Sequence, residues 1–135
     1  DVVSELEECL VLCDTGIQII KYYLDISRDE QQSRLDDRRI NPLKQWKISP
    51  IDTTAIEHWD DYSLARDKML QHSHSDHAPW YIVKANNKKC ARLNVIRHLL
   101  SIVDCPDKDQ HLMKPDSGTV YPFNEKLLTD KKMLR

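Results

Sequence analysis

Glycine is nearly absent, with Gly16 and Gly118 the two examples in 135 residues. Isolated glycines cannot write either Gly-rich phosphate cradle, so GxxxxGK[ST] and GxGxxG are both excluded. Any phosphate site must therefore use side chains and helix ends, or borrow a glycine loop from a second chain. Long apolar runs are missing too. No stretch approaches the ~20 residues that span a bilayer, and the opening DVVSELEE lacks the basic-then-apolar pattern of a signal peptide. The expectation is a cytoplasmic protein with no membrane partner. Cys9, Cys13, Cys90 and Cys105 form no CxxC pair, and in a reducing compartment they are small core residues or inert thiols. A net charge of -2 argues against nucleic acid as a partner, which calls for a strongly basic face.

What is present suits one domain with one modest core, at 40% apolar and 31% charged residues. Ser4 with Glu7 writes a capping box, and Leu6, Leu10 and Cys13 share a face, which predicts a helix over 4–14 ended by Asp14, Thr15 and Gly16. The run IQIIKYYLDI, 17–26, is β-branched and aromatic and apolar on both faces, as in a strand of a parallel sheet. A second such run, WYIVKA over 80–85, follows Pro79 and precedes Asn86 and Asn87, which can cap a helix over 88–103. Ala91, Val95, Leu99 and Ile102 make that helix's apolar stripe, widened by Ile96 and Val103. Strand, helices, strand, helix is the order of a parallel α/β sheet.

More than fifty residues separate the two strands, far beyond the dozen or so a crossover needs, so something is inserted. Ser27 with Glu30 opens a helix to about Ile40 in which only Leu35 and Ile40 are aliphatic. Such a helix spans solvent or faces a ligand. Asn41 and Pro42 end it, and Asp52 begins a second helix to about Gln71, with Ile56, Trp59, Tyr62 and Met69 on one face. Beyond Asp104 apolar residues thin out among Pro106, Pro115, Gly118 and Pro122, which predicts an extended, loosely packed tail over 105–135.

The segment from Ser27 to Lys47 carries six cationic side chains and almost no core. Arg34 and Arg38 stand four apart on one helix face, and Lys44 and Lys47 follow the Pro42 turn. Forked guanidinium donors and point-charge ammonium groups match phosphate oxygens. The plainer reading is a solvated helix whose cations pair with Asp36 and Asp37, and spacing alone leaves both open. His72, His74 and His77 invite zinc, but they form no standard tetrahedral set and a polar loop is preferred. Asp25 ends its strand where ligands of open α/β sheets gather, and serves equally as a residue leading into the next helix. Trp59 and Trp80 read as core, whereas Trp46, between Lys44 and Lys47, is the more open case.

The strings RLDDR and NPLKQWKISPID (within 34–52), WDDYSLARDKM, and HAPWYIVKANNKKCARLNVIRHLL together resemble the carboxyl-terminal half of family-2 polyphosphate kinases, over roughly residues 6–104. The resemblance implies a partial P-loop kinase-like parallel sheet with an inserted helical lid hairpin at about 27–73. It implies phosphoryl transfer between inorganic polyphosphate and a nucleotide (ADP/ATP, GDP/GTP or a nucleoside monophosphate) with Mg2+, whose ligands lie mostly outside this chain. Arg34, Arg38, Lys44 and Lys47 match lid positions that face phosphates, and Asn86, Asn87 and Lys88 match the turn near the nucleotide. Leu35, Asn41, Asn86 and Asn87 depart from the family's usual residues. In the family the Walker A loop and Walker B Asp precede this segment, so the chain alone is expected to be inactive. A homo-oligomer or a partner half carrying the P-loop is the expected assembly.

Overall fold

Three strands in the order β1 (Lys21–Asp25), β2 (Trp80–Lys84), β3 (Val120–Pro122) make up the sheet. They come from a computed structural model that describes residues 11–104, 106–109, 111–130 and 133. β1 and β2 run parallel, with Tyr22 beside Tyr81 and Leu24 beside Val83. β3 lies antiparallel on the far side of β2, with Val120 opposite Val83, so the sheet is mixed and the fold is α/β. The helix expected over 4–14 falls mostly outside the described residues, and 11–14 are helical.

The expectation of a loose tail over 105–135 needs correction. Apolar residues are sparse there, but Met113, Val120, Phe123, Leu127 and Met133 are all buried. β3 and a short helix, α5 (Lys126–Thr129), place them. Counting apolar residues missed this, because what matters is where each one lands.

Alternation along the strands divides the core into two faces. On one, Ile82 packs with Leu70, Phe123, Leu127 and Met133, flanked by Tyr23 and Tyr121. Leu70 belongs to α3 (Trp59–Ser73). On the other face, Val83 and Val120 pack with Ala85 and Ala91, flanked by Tyr22, Tyr81 and Val95; Ala91 and Val95 belong to α4 (Lys88–Ile102).

The inserted segment comprises α1 (Arg28–Ile40), a 3-10 turn at Gln45–Lys47, α2 (Pro50–Glu57) and then α3. The single helix expected from Asp52 to Gln71 is therefore two. Ser49 and Asp52 form a capping box with Pro50 in the first turn, and the chain breaks at His58, whose φ is -104° and ψ 33°. Asp60 and Asp61 in the first turn of α3 suit a fresh helix N-terminus, a signal that sequence reading passed over.

The stripe predicted on α4 is partly displaced. Ala91 and Asn94 are buried, whereas Ile96 is 55% and Leu99 42% exposed. Asn94 Nδ2–H donates to Cys90 O (2.9 Å), and its Oδ1 accepts from Asp116 N–H (2.8 Å). A buried amide thus ties α4 to the turn before β3, and part of the helix's apolar surface faces away from the sheet.

Between α4 and the sheet, Tyr22 OH lies 2.7 Å from His98 Nδ1, and the Tyr81 ring centroid lies 4.1 Å from that of His98. Burial pushes the His98 imidazole below its usual pKa. The folded state thus resists a proton that the unfolded chain accepts near pH 6.5, so this site costs stability as pH falls through that value. Thermal unfolding at pH 7.5 and pH 5.5 should show the loss, and His98→Gln should shrink it.

Candidate functional site

The site forms where the start of α1 meets the turn between β2 and α4. Ser27 caps α1, its Oγ accepting from Glu30 N–H (3.3 Å), while its own N–H donates to Asn86 Oδ1 (3.0 Å). Asn86 Nδ2–H returns a bond to Ser27 Oγ (3.1 Å). One residue on, Asn87 caps α4, its Oδ1 accepting from Lys89 and Cys90 N–H, both at 3.1 Å. Short polar side chains therefore fix the first turns of α1 and α4 against each other.

Arg34 crosses the junction one turn further along α1. Its Nη2 donates to Ala85 O (2.6 Å) and Asn86 O (3.3 Å), and its Nε to Glu30 Oε1 (2.7 Å). Arg38 bridges to Asp52 at 3.0 Å, joining α1 to α2, and Lys44 pairs with Asp37. An open groove of about 610 Å3 runs between α1 and the first turn of α4, lined by Ser33, Arg34, Asp37, Asn86, Lys88 and Lys89 among others.

Lys88 stands exposed in that groove. The Arg34 guanidinium beside it, more than the partial desolvation, pushes its ammonium below the usual lysine range. Lys44 and Arg38 push the same way more weakly, against Glu30. A cation that its neighbours discourage from charging sits in a field that an anion would relieve.

The residues singled out from sequence thus divide. Arg34, Arg38 and Lys44 all lie within electrostatic reach of Lys88. Lys47 turns to Trp46, its Nζ 5.0 Å from the ring centroid, at a hairpin tip where Trp46 is 78% exposed. Asn86 and Asn87 make the helix-start bonds just described. Sequence spacing did not reveal which acid meets which cation: Asp36 pairs with Arg39, Glu30 with Arg34, Asp37 with Lys44 and Asp52 with Arg38. The Glu30–Arg34 spacing of four was the legible part.

Asp25 is 1% exposed and lies 3.6 Å from Arg66 of α3, whose guanidinium also holds Asp67 (2.7 Å). It therefore anchors the hairpin to the sheet. Trp59 is buried, and Trp80 Nε1–H donates to Ser73 Oγ (2.9 Å). In the His-rich loop, His74 Nδ1 accepts from Trp80 N–H (3.1 Å), and its ring edge meets Phe123. Among the described residues no three His, Cys, Asp or Glu side chains converge as a metal site, and no helix is long and apolar enough to cross a membrane.

Residues 1–111 match the family described as polyphosphate kinase 2. The chain is 43% identical over 130 residues to the GDP-polyphosphate phosphotransferase of Pseudomonas aeruginosa, covering 96% of this chain and 36% of that protein. It is 46% identical over 113 residues to NDP-polyphosphate phosphotransferase 2 of Ruegeria pomeroyi, covering 83% and 32%. The crystal structure of polyphosphate kinase 2 from Arthrobacter aurescens superposes with a TM-score of 0.71 at 34% identity, over 80% of this chain and 40% of that one. The chain spans about a third of the length of these relatives.

Proposed function

Because this chain belongs to the polyphosphate kinase 2 family, we propose that it supplies part of a phosphotransferase that moves a phosphoryl group between inorganic polyphosphate and a nucleotide. The nucleotide is a nucleoside mono- or diphosphate, or the triphosphate made from it. The hairpin acts as the lid of a P-loop kinase-like fold, and Arg34, Arg38, Lys44 and Lys88 receive polyphosphate oxygens. Transfer of a phosphoryl group demands positioning and charge neutralisation more than covalent chemistry. Glu30, Asp37 and Asp52 already hold Arg34, Lys44 and Arg38, so they do not fit as a ready Mg2+ site. The metal would come with the phosphates and with residues beyond this chain. Lacking GxxxxGK, the chain binds but does not transfer by itself.

The convergence of Arg34 and Lys88 on one groove carries this reading, with the Arg34 guanidinium holding the Lys88 ammonium below the usual lysine range. Added tripolyphosphate should offset the Arg34 field and raise that pKa, with proton uptake, followed through the Lys88 side-chain resonances across pH 8–11. A Lys88 titration that tripolyphosphate leaves unmoved would sink the reading. Binding without transfer, even beside a P-loop-bearing half, would favour a non-catalytic polyphosphate-binding remnant.

A further inference from the structure

α4 is apolar on two opposite sides. Ala91 and Val95 pack against the sheet, Asn94 is buried, and His98 meets Tyr22. Leu93, Ile96, Leu100 and the C-cap Val103 are exposed, and at about 3.6 residues per turn they gather on the side away from Ala91 and His98. Their spacing of three, four and three is that of the a and d positions of a coiled coil. It also reads the same in both directions. No other helix among the described residues exposes four apolar side chains in that pattern.

The charges at the ends of α4 oppose the helix dipole. Lys88, Lys89 and Arg92 crowd the amino-terminal turns, where the backbone leaves partial positive charge, and the first turn holds no acid. Asp104, Asp107 and Asp109 follow the carboxyl end, where the backbone charge is partly negative. Lys108 offsets part of this, its Nζ donating to Val103 O (2.8 Å). In an antiparallel helix pair the acidic end of one helix lies against the basic start of the other, and both mismatches are relieved at once.

We infer that α4 is an interface with a second copy of this chain, the two helices packing antiparallel about a two-fold axis. The palindromic spacing sets Leu93 opposite the partner's Val103 and Ile96 opposite the partner's Leu100, so one patch serves both copies. Lys89 and Arg92 then approach the partner's Asp104. Apolar fit selects a helix of the same pattern, and charge complementarity selects the antiparallel sense. One helix pair is small beside the ~1,600 Å2 of a standard interface, so dilution reverses the association. The inference rests neither on the family reading nor on phosphoryl transfer.

Sedimentation velocity over a concentration series tests it. The chain should reach a dimeric mass at high concentration and return to monomer on dilution. Leu93→Glu with Leu100→Glu should stay folded by circular dichroism and monomeric throughout. Lys89→Glu and Asp104→Arg each suit the dipole of α4, so neither should lower the melting temperature. Each should nevertheless weaken the dimer by up to about tenfold, because the two-fold axis doubles the effect of one exposed pair. The two together should restore it. A chain monomeric at every concentration would overturn the inference, as would a dimer indifferent to the leucine changes. So would a dimer lost in Leu24→Lys instead, since Leu24 is exposed on β1 and the copies would then meet there. A double charge variant as weak as either single one would overturn the antiparallel register.

Discussion

Arg66→Met should lower the unfolding free energy by about 3–5 kcal/mol, the cost typical of stranding one partner of a buried ion pair. Arg66 is 7% and Asp25 1% exposed, and the guanidinium also rests 6.0 Å from the Tyr23 ring centroid. Removing the cation leaves a carboxylate at the end of β1 without its countercharge, in surroundings where ionisation is expensive. Urea denaturation would measure the loss. The double variant Asp25→Asn, Arg66→Met should recover much of it, because removing both charges is far less harmful than removing one. A single variant within about 1 kcal/mol of the unmodified chain would mean that the pair does not anchor the hairpin.

The largest effect on binding should come from removing Arg34 and Lys88 together. Bonds to charged groups contribute about 1.5–3 kcal/mol each, so Arg34→Gln with Lys88→Gln should weaken polyphosphate affinity by at least about a hundredfold at low salt. Lost counterion release should flatten the log–log salt dependence by about 0.7 per cation, taking the single-strand nucleic-acid value as a guide. Arg34 also holds Ala85 O and Asn86 O, so a control must separate charge from architecture. Ser27→Ala with Asn86→Ala breaks the neighbouring tie between α1 and the turn and leaves every cation in place. It should keep the salt slope. Calorimetric titration from 50 to 300 mM salt distinguishes the two, and an unchanged slope in the charge variant would dismiss the groove as the polyphosphate site.

Much of this was legible in the residues. Strands formed within the runs at 17–26 and 80–85, over Lys21–Asp25 and Trp80–Lys84, because β-branched and aromatic side chains suit a buried pleat. Ser27, Asn87 and the Pro42 turn placed helix boundaries to within a residue or two, since caps act locally. Long-range partners were not legible. Nothing near Arg66 signals that it meets Asp25 forty-one positions away, and nothing in 105–135 announces an antiparallel strand beside β2. At the candidate site, residue types pointed to phosphate and Asn87 to a helix start, but only the fold joined Asn86 to Ser27 and turned Lys47 to Trp46.

The break at His58 has a mechanical consequence. α1 and α2 are cross-tied by Arg28 Nη2–H to Ile56 O (3.2 Å) and by Arg38 to Asp52, while α3 is fastened to the sheet through Leu70 and Arg66. Residues 28–57 are therefore braced as one unit between Ser27 and His58. Thirteen residues of α1 at 1.5 Å rise give the arm a length of about 20 Å. A rotation of about ten degrees about those ends would carry the far end of α1 through roughly 3 Å on that arm length, and Arg34, about halfway along, through about half of that.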